Sequence, residues 1–226
     1  MQILAQVHDG PVAVADQGIR PVCVALAITA AHGLARPSDE PLASEALWHH
    51  ALARGLTSDV GTTVQAIAEA LAEQGQPEEA LWPFDATNHG PQSIPEGAGT
   101  PPWLTGTVSI LAPTVDDVEF ELVGSHPVVA VLELTEVFHS LTGGVLPDPQ
   151  PGAPGLGLHA VVLVALGRDA EETWFLLRNS WGAQWGDGGY AWISATHLGS
   201  RLRQAATVSP NVIPLIAGVR QLSEAN

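Results

Sequence analysis

The chain has 226 residues, of which 24 are acidic and 8 are basic, and its formal net charge is −16. A nucleic-acid partner is excluded as a first interpretation, because a phosphate backbone requires a basic surface. The hydrophobic content of 46% suffices for one folded domain, and no apolar run approaches the roughly 18 residues of a membrane-spanning helix.

The first half of the chain has the pattern of a helical lobe. A helix is predicted over 24–33 and a second one over 42–54, each stopping at or just before a glycine. A third is predicted to begin after Thr62 as its N-cap, because Gln65 three residues later completes a capping box, and to stop at Gly75. We expect these helices to pack together.

The second half has the pattern of a sheet. After a loop over 85–107 and a short helix over 115–123, apolar segments rich in Val and Leu predict strands over 128–135, 160–166, 173–178 and 189–193. A loop rich in Gly and Pro covers 143–158, directly before His159.

This order of elements predicts an α+β fold in which a helical lobe precedes an antiparallel, barrel-like sheet lobe. We expect a single domain over 1–226, with the helical lobe at about 12–110, the sheet lobe at about 111–209 and a tail over 210–226.

Cys23 is the only cysteine, so it forms no internal disulfide and is either a small buried hydrophobic residue or a reactive thiol. It falls at the start of the first predicted helix, where free N–H groups favour an anion and can lower the pKa of a thiol. Gln17 lies six residues upstream, and a turn at Gly18 can bring its amide back toward the sulfur. An amide N–H beside a nucleophile is what an oxyanion hole needs.

Two residues far downstream complete a possible catalytic group. His159 begins a predicted strand and Asn179 follows another. An imidazole that takes a proton from a thiol needs an orienting acceptor on its other nitrogen, and an Asn oxygen can be that acceptor. Taken singly, each residue is better explained as structural, but their combination points to thiol chemistry.

The segments around these residues resemble the papain-like cysteine peptidase family, and in particular its bacterial members. Residues 16–27 (DQGIRPVCVALA) are similar to the glutamine and nucleophile segment, 158–161 (LHAV) to the histidine segment, and 177–190 (LRNSWGAQWGDGGY) to the asparagine segment. The Cys and His are 136 residues apart, within the ~130–150 of the papain framework. Residues 61–84 are similar to a helix and loop of bacterial members.

The resemblance implies a two-lobed fold with the active site in a cleft between the lobes. Cys23 would be the nucleophile, His159 the base, Asn179 its orienting partner, and Gln17 a donor in the oxyanion hole. Trp181 would cover the His–Asn hydrogen bond and lower its local dielectric constant.

Trp181, Gly61, Thr62 and Leu158 are expected to border the cleft, and the last three suggest an apolar subsite. No metal and no cofactor are expected, because His49 and His50 are adjacent on a predicted helix and no His-Glu-x-x-His spacing occurs.

The chain departs from plant papains at the nucleophile, where Pro21 and Val22 precede Cys23 and Val24 follows it. Val24 replaces a large flat side chain, so the wall of the cleft should be more open there. Only fifteen residues precede Asp16, so we expect an activating partner or a separate regulatory protein in place of a propeptide.

We therefore expect a thiol-dependent peptidase that acts on peptides or proteins, without a nucleic-acid or membrane partner. The absence of disulfides and of a basic N-terminal signal favours the cytoplasm. Two alternatives stay open: a noncatalytic peptide-binding module on the same fold, and acyl transfer to an amine, as in a transpeptidase or ligase, through the same thioester.

Overall fold

The computed structural model describes residues 1–7, 13–88 and 93–211. The N-terminal half contains one strand of the main sheet, three helices and a two-stranded ribbon: β1 (Gln2–Gln6), α1 (Cys23–Leu34), α2 (Ser44–Ala53), β2 (Thr57–Ser58), β3 (Gly61–Thr62) and α3 (Val64–Glu73). Two single 3₁₀ turns follow at Glu79–Leu81 and Glu96–Ala98.

The C-terminal half supplies the other strands of the sheet and three short helices. They are β4 (Gly106–Leu111), α4 (Val115–Val123), β5 (Val128–Glu133), α5 (Glu136–His139), β6 (Leu158–Arg168), β7 (Thr173–Arg178), β8 (Tyr190–Ser194), α6 (Ala195–Arg201) and β9 (Leu202–Pro210).

The main sheet has seven antiparallel strands in the order β4-β9-β5-β6-β7-β8, with β1 paired to the far end of β6. The predicted α+β class is confirmed. The sheet is open, because the edge strands β4 and β8 do not pair with each other in the described ranges.

Strand β6 separates two hydrophobic cores. Its residues Ala160, Val162 and Val164 pack with α1, α2 and α3 on one face, whereas Val161 and Leu163 pack into a second core on the other. A strand covered on both faces needs apolar residues at every position, which explains its unbroken Val and Leu run. His159 therefore stands at the end of the best-buried strand, beside α1.

Helix α1 lies at the interface between the lobes. The helix is rich in Ala, and residues such as Ala25 and Ile28 are fully buried between the sheet and the other two helices. Small side chains let the helix axis approach the sheet closely, which brings Cys23 at its N-terminus to the edge of β6.

The predicted cap of the third helix was wrong by one residue. Thr63, not Thr62, accepts the hydrogen bond from the backbone of Ala66, at 3.1 Å. Thr62 belongs to β3, and its hydroxyl donates to the carbonyl of Leu56 at 2.8 Å. Adjacent threonines offer the same hydroxyl, and the ribbon decides which of them is the cap.

Two strands of the sheet come from segments that were not predicted as strands. Strands β1 and β4 come from segments assigned to no element or to a loop, yet both join the sheet. The tail predicted over 210–226 begins inside β9 at Pro210, and residues 212–226 lie outside the described ones. In the described residues, no helix is long and apolar enough to cross a membrane.

Candidate active site

Cys23 is the first residue of α1 and lies partly buried at the junction of the two lobes. The residue before the helix, Val22, has no side-chain oxygen and makes no capping hydrogen bond. Because Ser, Thr, Asp or Asn at that position would occupy a first-turn N–H group, the valine leaves these donors for the cleft. The helix start therefore offers backbone N–H groups to an anion at the thiol.

His159 and Asn179 form a short hydrogen bond beside this helix start. The distance from His159 Nε2 to Asn179 Oδ1 is 2.7 Å, and each residue is only 4% exposed. The same Asn oxygen accepts the backbone N–H of Ser180 at 2.8 Å, which fixes it as an acceptor. His159 Nε2 must therefore carry the proton, and its Nδ1 is the basic nitrogen.

Aromatic rings cover this pair. The Trp181 ring lies 4.8 Å from the ring of His159, centroid to centroid, and Phe138 packs edge-on at 5.9 Å. Trp181 also stacks with the exposed ring of His139, with 5.0 Å between the ring centroids. Trp181 and Phe138 thus lie against the His159 ring, where aromatic side chains lower the local dielectric constant around the His–Asn bond.

Gln17 is 8% exposed and is held at both ends of its amide. Its Oε1 accepts from the hydroxyl of Ser180 at 2.7 Å, and its Nε2 donates to the carbonyl of Arg20 at 2.9 Å. The backbone N–H of Gln17 also donates to the carbonyl of Ser180, at 2.8 Å. Nε2 has a second proton besides the one donated to Arg20, so this fixed amide has the capacity for a further hydrogen bond.

A cleft of about 720 Å³ is lined by Cys23, His159 and three of the four predicted border residues, whereas Trp181 is not among its lining residues. Its walls contain Cys23 and His159 together with Gly61, Thr62 and Leu158. Leu158 is 64% exposed, so it forms the rim rather than the floor. The cleft is also lined by Val60, Val131 and Gln204, which were not predicted from the sequence.

Burial disfavours the charged forms of both Cys23 and His159. It raises the pKa of the Cys23 thiol, and N–H groups of Ala160, Val24 and Cys23 itself lower that pKa by less. Burial also lowers the pKa of His159 to about 4; the hydrogen bond to Asn179 raises this pKa, and the charge of His139 lowers it. The helix start thus lowers the pKa of the thiol as expected, but burial outweighs this effect, and burial disfavours the charged form of both side chains.

Comparison with known proteins identifies the family. The sequence profile described as papain family cysteine protease matches residues 52–208, well over half of the chain. The chain belongs to the papain family of cysteine proteases. The profile match includes His159 and Asn179 and begins after Cys23, so the nucleophile segment depends on the resemblance quoted above and on the structure.

Curated relatives match parts of this papain-family chain. Fruit bromelain of Ananas comosus is 37% identical over 70 residues, which are 30% of this chain and 19% of bromelain. The thiol protease aleurain of Arabidopsis thaliana is 27% identical over 131 residues, 58% of this chain and 36% of aleurain. The matches thus span well under half the length of these relatives.

Solved structures of similar fold cover nearly the whole chain. Xylellain, a cysteine protease from Xylella fastidiosa, superposes with a TM-score of 0.74 at 20% identity, covering 92% of this chain and 86% of xylellain. The bromelain protease from Ananas comosus in complex with the E64 inhibitor gives 0.69 at 20% identity, covering 89% and 94%. These likenesses confirm the predicted papain-like fold.

No cluster of His, Cys, Asp and Glu side chains suited to a metal occurs in the described residues. His49 and His50 pack instead against aromatic rings, at 5.3 Å from Trp82 and 5.8 Å from Trp103 respectively.

Proposed function

We propose that this protein hydrolyses peptide bonds with Cys23 as nucleophile. The observation that carries the proposal is the hydrogen bond from His159 Nε2 to Asn179, since it leaves Nδ1 as a base in the cleft that Cys23 also lines. A thiol, a base and an oriented acceptor are the parts that acyl transfer through a thioester requires.

In the first half of the reaction, the Cys23 proton moves to Nδ1 of His159 while the sulfur attacks the peptide carbonyl carbon. The oxygen becomes an oxyanion, which accepts hydrogen bonds from the backbone N–H of Cys23 and the free Nε2 proton of Gln17. The C–N bond then breaks, and the leaving amine takes the proton from His159.

In the second half, His159 takes a proton from water, and the hydroxide attacks the thioester. A second oxyanion forms at the same donors, and its collapse releases the acid and returns the proton to the Cys23 sulfur. Asn179 keeps the ring in one orientation throughout and stabilises the imidazolium in each intermediate.

We also propose that the substrate is a peptide with a neutral side chain beside the scissile bond. Among the described residues that line the cleft, none is Asp, Glu, Arg or Lys, although the whole chain has a net charge of −16. Gly61, Thr62 and Leu158 give the wall an aliphatic and hydroxyl character, whereas Gln204 offers one amide. A charged side chain would lose hydration there without gaining a partner.

Turnover of a peptide library by the wild type, Cys23→Ala and His159→Ala tests the proposal. We expect cleavage by the wild type and loss of cleavage in both variants, while both stay folded. Unchanged cleavage in either variant contradicts it. A folded wild type that binds peptides without cleaving them would identify the binding module, and a ligated product with an added amine would identify acyl transfer.

The expected activating partner belongs to the same proposal. If purified protein alone cleaves no peptide but does so after addition of a cell extract, a partner is required; full activity of the purified chain argues against it.

A further inference from the structure

An ion pair lies buried beside the nucleophile segment, outside the catalytic residues. The side chains of Arg20 and Glu45 are 2% and 3% exposed, and both guanidinium NH groups donate to the two carboxylate oxygens. By contrast, Arg54 and Glu69 form an ion pair at the surface with 41% and 36% exposure. Buried pairs add little net stability, because desolvation offsets their attraction, so the buried pair calls for another explanation.

The pair joins three segments that are far apart in sequence. Arg20 also donates to the backbone carbonyl of Asp85 at 2.6 Å, and its guanidinium carbon lies 5.0 Å from the centre of the Phe84 ring. Glu45, in the first turn of α2, accepts the backbone N–H of Asp85 at 3.2 Å. Arg20 is thereby fixed between α2 and the segment that follows Trp82.

The backbone of Arg20 is in turn bonded to the proposed oxyanion donor. Its carbonyl accepts from Nε2 of Gln17 at 2.9 Å, and its N–H donates to the carbonyl of Gln17 at 3.2 Å. Because one Nε2 proton points at this carbonyl, the planar amide fixes the direction of the other proton. Movement of the Arg20 backbone would therefore turn the donor that is proposed to bind the oxyanion.

We propose that Arg20 and Glu45 are positioning residues that aim the Gln17 amide at the oxyanion. Neither side chain touches the reacting atoms; both act through the Arg20 carbonyl. The proposal rests on the hydrolytic function proposed above. Catalytic hydrogen bonds tolerate only small displacements, so a shift of about 1 Å in this carbonyl would cost on the order of 10- to 100-fold in rate.

The test replaces both charges at once, with Arg20→Met and Glu45→Leu, because a single replacement would leave an unpaired buried charge that can unfold the protein. Peptide turnover is expected to fall about 10-fold or more in kcat with little change in KM. The rate at which iodoacetamide alkylates Cys23 is expected to stay within about twofold, since alkylation forms no oxyanion.

A cycle with Gln17→Ala separates positioning from a merely structural role. If the pair acts through Gln17, adding the double replacement to Gln17→Ala lowers kcat no further. If the double replacement lowers kcat by the same factor in Gln17→Ala as in the wild type, the proposal is overturned. An unchanged kcat in the double replacement also overturns it. The same change at the surface, Arg54→Met with Glu69→Leu, is the matched control and should leave kcat unaltered.

Arg20→Lys provides a second variant if the double replacement fails to fold. Lysine keeps the charge and cannot hold both carboxylate oxygens and the Asp85 carbonyl in one plane, so we expect a folded enzyme with reduced kcat. A fully active Arg20→Lys variant overturns the proposal. Loss of turnover in Cys23→Ala with no effect of Gln17→Ala would refute the positioning role alone, whereas turnover that persists in Cys23→Ala would refute the hydrolytic function.

Discussion

Replacing Asn179 with alanine tests the orientation of the catalytic imidazole. The change removes the acceptor that lies 2.7 Å from His159 Nε2 and 2.8 Å from the backbone nitrogen of Ser180. Both donors are buried, so the truncation leaves them without this acceptor. A hydrogen bond to a group that becomes charged contributes about 1.5–3 kcal/mol, and each 1.36 kcal/mol is tenfold in rate. We therefore expect kcat/KM to fall about 10- to 150-fold.

The assay is hydrolysis of a fluorogenic peptide, with thermal unfolding measured alongside to show that Asn179→Ala is folded. Asn211→Ala is the matched control, since Asn211 is exposed and, within the described part of the chain, bonds to Thr105 and Thr107 at the far end of the sheet. A folded Asn179→Ala variant with kcat/KM within twofold of wild type would refute the orienting role.

Further predictions concern pH, the oxyanion and the turn after the site. Because burial lowers the pKa of His159 to about 4, kcat/KM should rise with pH through about 4, and Asn179→Asp should move this limb to higher pH, since a carboxylate favours the imidazolium; an unmoved limb contradicts this. Gln17→Ala should lower kcat about 100-fold with little change in KM, and an effect confined to KM would exclude the oxyanion role. Gly186 has φ +61, and a Cβ there would lie 2.3 Å from the carbonyl of Tyr190. Gly186→Ala should therefore lower the free energy of unfolding by clearly more than Gly188→Ala, which has φ +65 and open space; the latter should cost about 1–2 kcal/mol, and equal losses in chemical denaturation would exclude the clash.

The sequence predicted the elements that have one strong local signal. Helix α4 occurs over the predicted 115–123, because Thr114 caps it and the apolar positions Val118 and Leu122 recur on one face. The continuous apolar run of β6 likewise predicted a strand from local sequence alone. Strand β1 was missed because it lies at an edge with Ile3 and Leu4 nearly half exposed, so that it carries no buried pattern.

The site was predictable to the level of residues but not of charge states. The order of Gln17, Cys23, His159 and Asn179 in their motifs predicted this group, since each motif is local. The raised pKa of Cys23 could not be predicted, because burial depends on the tertiary fold. Its effect on the pKa outweighs that of the helix N-terminus. The contact of Arg20 with Glu45 joins residues 25 apart in sequence, and neither segment carries a signal for it.

The central claim is that Cys23 forms a thioester with the acyl part of the substrate. Rapid acid quenching of the enzyme with an activated ester of a peptide, followed by intact-mass measurement, tests it most directly. We expect one acyl group per chain, attached to Cys23, the only cysteine, and a much slower appearance of the adduct in His159→Ala. An unmodified Cys23, or an acyl group on another residue, while the substrate is being turned over would contradict it.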